Sequence, residues 1–121
     1  MKLFKSGEYV ELLNPNGNQP YRSEILTEQG GAKNLGGIFG LLSPGSEGTY
    51  HLHVNRESII IIIAGEGTEV VEGKEIAIKA GDVLYIPAGE KHKTVNRSAK
   101  DFRFLEFYTY PPGKSDYVEV K

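Results

Sequence analysis

The sequence predicts an all-β domain, a sandwich or a barrel, and three observations carry that prediction. From Ile38 onward the chain runs in short apolar or alternating stretches, "IFGLL", "TYHLHV", "SIIIIIA", "TEVVE", "EIAIKA", "DVLYIP", "KHKTV" and "FRFLEFYTY", at near-even spacing. Glycine-bearing turns separate them, and no stretch holds a convincing helical period. At 121 residues the chain is long enough for one core and too short for two ordinary domains. Many short strands in one small domain point to a closed or double-layered β architecture.

Taken in order, the elements begin irregularly. "EYVELL" reads as a strand, while "NPNGNQP" and "EQGGAKNLGG" carry the N-P, N-G and G-G pairs of loops. Residues 1–35 are therefore expected to be an arm, or a strand with long connections, within the same domain, and residues 36–121 the β-barrel. The run Ile59 to Ile63 is apolar on both faces of a strand, so both faces must be covered. One face can line the interior. The other is expected to lie under another part of the monomer or against a second copy, and a homodimer is the assembly this reading carries forward.

In "GTYHLHVNRES", His51 and His53 project from one face of a strand while Leu52 and Tyr50 point the other way. His92, the last of the chain's three histidines, follows the "PAGE" turn. Gly81, Asp82, Pro87 and Gly89 read as turn scaffold, and Asn96 as a turn or capping residue. In "FRFLEFYTY", Phe102, Phe104, Glu106, Tyr108 and Tyr110 share a face, so Glu106 stands among aromatics. It is a candidate general acid or base with a raised pKa, or an ordinary partner for an arginine. Arg22 in "PYRSEIL" is either a reach toward an anionic substrate or a solvated side chain.

Composition narrows the function classes. Hydrophobic residues at 39% and charged residues at 25% argue against disorder. A net charge of −2 with both signs mixed along the chain leaves no basic stripe for nucleic acid. The absence of cysteine removes disulfides, thiolate ligands, iron–sulfur clusters and a cysteine nucleophile, and fits a reducing cytoplasm. "MKLFKSGEYVELL" has no apolar stretch of signal-peptide length, and Ile59 to Ala64 is too short to span a bilayer, so no membrane partner and a cytoplasmic location are expected.

Two spacings are more specific. Gly45-x5-His51-x-His53-x3-Glu57 and Gly81-x5-Pro87-x-Gly89-x2-His92-x3-Asn96 resemble the two motifs of the cupin superfamily, over a span from about Ile38 to Tyr110. The resemblance implies a double-stranded β-helix, or jelly-roll barrel, holding one divalent metal ion, Fe, Mn, Ni or Zn, through His51, His53, Glu57 and His92. Imidazole with one carboxylate suits those ions and leaves positions open for a small-molecule ligand. The first motif departs from the family pattern in one place. Seven residues rather than six separate Glu57 from Gly65, and counting back from Gly65 puts Ser58 in the ligand slot. Because a one-residue slip turns a strand's side chains over, either a bulge near "NRES" brings Glu57 inward, the favoured reading, or the site is three histidines with Ser58 beside it. Among cupins the implied chemistry includes dioxygenation, decarboxylation and isomerisation. A barrel that only captures or senses a small ligand is the alternative.

Overall fold

Ten β-strands, all paired antiparallel, build two five-stranded sheets in the computed structural model, which describes residues 1–109 and 116–121. In chain order they are β1 Tyr21–Leu26, β2 Gly36–Leu42, β3 His51–His53, β4 Ser58–Ala64, β5 Glu66–Val71, β6 Lys74–Lys79, β7 Val83–Ile86, β8 His92–Val95, β9 Phe102–Tyr108 and β10 Tyr117–Glu119. The first sheet runs β1-β2-β9-β4-β7 and the second β10-β3-β8-β5-β6. From β2 to β5 and from β6 to β10 successive strands switch layers, while β1–β2 and β5–β6 stay within one sheet as hairpin pairs, and the core lies between the two layers. Among the described residues no helix is long and apolar enough to cross a membrane.

Strand alternation decides what faces in. Phe102, Phe104, Glu106 and Tyr108 of β9 are buried, while Leu105 and Phe107 between them are only half-buried. Register carries the same face across the sheet: Ile60 of β4 and Ile38 of β2 lie opposite Glu106, and Gly40 and Gly36 lie opposite Phe104 and Tyr108. Those two glycines make room for rings. A Cβ on Gly36 would stand 2.0 Å from the Tyr108 ring and one on Gly40 2.1 Å from Phe104, so β2 carries no side chain where the aromatics of β9 cross it. Tyr110, expected on the same face, lies outside the described residues.

One expectation is corrected here. "EYVELL" is not a strand: Ser6–Glu8 forms a short 3-10 turn, and the Val10 and Leu12 amides close further turns onto Ser6 and Tyr9. Side chains rather than a ladder pin this arm, with Tyr9 against Phe39 at 5.5 Å, Arg103 donating to the Tyr9 carbonyl, and Asn14 donating to Ser43. The arm covers only part of the first sheet's outer face. On β4 and β7, Ile59, Val83 and Tyr85 remain 46%, 63% and 58% exposed, so the isoleucine run is not covered on both sides within one chain.

Candidate metal centre

The histidines meet because of register. His51 and His53 leave β3 on its inner face, and β8 pairs with β3 so that His92 stands directly opposite His51. All three are buried. The His51 ring lies 4.5 Å from His92 and 5.0 Å from His53, centroid to centroid, and Tyr117 of β10 stacks on it at 4.9 Å.

Each imidazole has its Nδ1 against an oxygen. His51 Nδ1 lies 2.7 Å from the Thr49 carbonyl, His53 Nδ1 3.0 Å from Asp116 Oδ1, and His92 Nδ1 2.7 Å from Glu69 Oε2. A carbonyl or carboxylate only accepts, so Nδ1 carries the proton and, in a neutral ring, Nε2 keeps its lone pair. Carboxylate–histidine pairs of this kind fix the tautomer of metal-binding imidazoles. The carboxylates are themselves anchored: Glu69 is 2% exposed and accepts from Thr94 Oγ1, while Asp116 accepts from the Asn55 and Arg56 amides. The donor chemistry therefore fits a divalent transition metal. The rings do not form a closed shell as they stand, since no three His, Asp or Glu side chains among the described residues are arranged to grip an ion.

Burial, the largest influence, holds His51 down to about 4 from its ordinary 6.5; the Thr49 carbonyl opposes this, and His92, His53 and Arg22 add to it. His53 is lowered too, by burial and then Arg56, against the opposing Asp116. A lowered histidine pKa means that the unfolded chain binds the proton below pH 6.5 while the native chain refuses it until about pH 4. Stability is thus fully present above pH 6.5 and falls as pH drops through that window, by about 3 kcal/mol for His51. Urea-unfolding midpoints at pH 7.5, 5.5 and 4.5 are expected to decline in wild type and to lose much of that slope in His51→Gln. Equal slopes in the two proteins would contradict the assignment.

Glu57 does not join the histidines, which corrects the expectation of a bulge turning it inward. The β4 ladder is regular from Ser58 to Ile61 against both neighbours, and its one irregularity falls between Ile62 and Ala64. Alternation then sends Ser58 in, 3% exposed, and Glu57 out, where it accepts the Tyr85 hydroxyl. The extra residue before Gly65 is taken up at the far end of the strand.

Glu106 faces the interior as expected, but its raised pKa is corrected. Burial pushes the carboxyl up, yet Arg56, Arg22 and hydrogen bonds from Arg56 and Ser58 together outweigh it and hold it below the ordinary glutamate value. Arg56 Nη2 donates to Glu106 Oε2 at 2.6 Å, its Nε donates to Ser58, and its guanidinium lies 3.5 Å over the Tyr108 ring. Glu106 is therefore an ionised partner of Arg56 near neutral pH. Sequence reasoning missed Glu69, Asp116 and Tyr117. Strand parity could have found Glu69, which shares a face of β5 with Gly67 and Val71; nothing local marks Asp116, which meets His53 from more than sixty residues away.

Two antiparallel sheets closed around a histidine-bearing interior define a double-stranded β-helix. The cupin domain family matches residues 39–108, and the chain belongs to that family. Among curated relatives, an oxalate-binding protein of Thermotoga maritima is 41% identical over 64 residues, 53% of each chain. A glucose-6-phosphate isomerase of Thermococcus gammatolerans is 31% identical over 81 residues, 63% of this chain and 42% of that protein. The chain thus spans about half the length of these relatives. A crystal structure of an uncharacterised Klebsiella pneumoniae protein with a double-stranded β-helix domain superposes with a TM-score of 0.83 at 23% identity, over 100% of this chain and 98% of that one, and shows the shared fold.

Proposed function

We propose that this chain is a metal-dependent cupin enzyme that binds one divalent ion, Fe, Mn, Ni or Zn, through His51, His53 and His92 and acts on a small oxygen-chelating metabolite. One observation carries the reading: three buried imidazoles share one patch of the interior, each with its Nδ1 against an oxygen and its Nε2 left for a ligand. When bound, such an ion would supply Lewis acidity toward substrate oxygens. The protein's own part is to hold His51 and His53 neutral by burial, to fix the tautomers of the three rings through Thr49, Asp116 and Glu69, and to keep Glu106 ionised in its pair with Arg56. Glu57 has no role at the ion in this reading.

A specific observation favours a second reading, capture without chemistry. Glu106, the interior carboxylate expected to move protons, is tied to Arg56, and one relative is named for binding oxalate. The two part on turnover. Untagged protein loaded with each metal is incubated with oxalate, 2-oxo acids, 2-hydroxy acids and sugar phosphates, and products are followed by NMR. A metal-dependent product, absent in His51→Ala, is the expected result. Ligand recovered unchanged after saturable binding across the panel would establish capture instead.

A further inference from the structure

Arg22 is in register with Gly40, which in turn faces Phe104, so its side chain leaves β1 on the inner face of the first sheet. From there it reaches the opposite layer. Its Nη2 lies 3.4 Å from where a Cβ on Gly48 would stand, and with Gly48, Thr49, His51 and Tyr117 it lines a cleft of about 250 Å³. Its charge acts on His51, Glu106 and Tyr108 alike, and the cleft it lines is bounded on the other side by His51.

Arg22 is also the one arginine without an ion pair among the described residues. Arg56 holds Glu106, Arg97 holds Glu75 and Arg103 holds Asp101. Glu47, on the rim of the same cleft, is taken by Lys93, and Glu24, the next inner-face residue of β1, makes no ion pair with Arg22. An unpaired guanidinium offers planar, multiple donors that match a carboxylate or a phosphate. Beside it, His51 is a neutral ring that contributes no compensating negative charge, and a divalent ion would make the region more positive still.

We propose that Arg22 is an anion seat next to the metal centre, so that the metabolite taken by the barrel carries a second anionic group, carboxylate or phosphate, beyond its chelating oxygens. This rests on the metal-centre reading only for the chelating half. Three 2-hydroxy acids separate the parts: lactate has no second anionic group, malate adds a carboxylate, and 3-phosphoglycerate adds a phosphate. Calorimetry at low ionic strength, where screening is weak, is run on metal-free and Mn(II)-loaded protein with metal content measured separately. Malate or 3-phosphoglycerate is expected to bind wild type about tenfold or more tighter than lactate. Arg22→Gln should remove that preference at unchanged metal content, and Arg22→Lys should keep part of it. Whichever of the two acids gains more identifies the second group. No preference in wild type, or one that survives Arg22→Gln, would overturn the proposal. If Mn(II) does not bind, the metal-centre reading fails by itself, and the preference of the metal-free protein for malate or 3-phosphoglycerate over lactate still decides Arg22.

Discussion

Replacing His51, His53 or His92 with alanine is expected to abolish stoichiometric metal binding, whereas Glu57→Ala and Ser58→Ala leave it unchanged. The asymmetry follows from strand alternation. The three imidazoles lie inside the barrel, 4.5 to 5.0 Å apart along the His53, His51, His92 series, and losing any one leaves two neutral donors, too few to hold a transition ion against water. Glu57 hydrogen-bonds Tyr85 on the outer face of the first sheet, and moving it inward would require the regular Ser58 to Ile61 ladder to slip by one residue. Ser58 faces inward but is a neutral hydroxyl already engaged by Arg56. Elemental analysis of untagged protein after exposure to Fe(II), Mn(II), Ni(II) and Zn(II) checks this, with far-ultraviolet circular dichroism confirming that each variant keeps its strands. Wild type should carry about one equivalent. Loss of metal in Glu57→Ala to the level of the histidine variants would show that the carboxylate swings in on loading and would sink the three-histidine description.

How much of this was legible in the sequence depended on how local the physics is. The strand runs and the His51, Leu52, His53 alternation are fixed by a period of two within a few residues, and the motif spacings located His92 at a distance. What failed required knowing which strands pair. The extra residue before Gly65 signals an irregularity somewhere between Glu57 and Gly65, but only the ladder with β9 puts it between Ile62 and Ala64 rather than near Glu57. Glu106 was correctly read as inward, yet the sign of its pKa shift depended on Arg56, fifty positions earlier in the chain, folding over Tyr108 to meet it. "EYVELL" has strand-like composition, but it is held by turns closing on Ser6 and Tyr9 and by the Tyr9 contact with Phe39, which lies far along the chain. Asp116 and Tyr117 sit in a stretch without a motif and reach the site only because β10 pairs with β3.

Glu69 is the residue through which the second largest effect is expected, acting on the metal by way of His92. It is almost fully buried and divides its two oxygens between His92 Nδ1 and the Thr94 hydroxyl. Glu69→Ala leaves the buried His92 Nδ1 and the partly buried Thr94 hydroxyl without this partner, which should lower stability by about 3 kcal/mol and metal affinity by roughly 10- to 100-fold. Glu69→Gln separates the two effects. Its amide oxygen can still accept from His92 Nδ1, and the Thr94 hydroxyl can turn to accept from the amide N–H, so the fold keeps its hydrogen bonds. The negative charge that makes His92 a better donor is gone, however, so the glutamine variant should unfold within about 1 kcal/mol of wild type while binding metal roughly tenfold more weakly. Urea-unfolding midpoints of the metal-free proteins and competitive metal titration of the same samples measure the two quantities independently. A residue that merely packed the interior would move them together. Glutamine matching wild type in metal affinity would therefore remove Glu69 from the site and leave it a structural strut of β5.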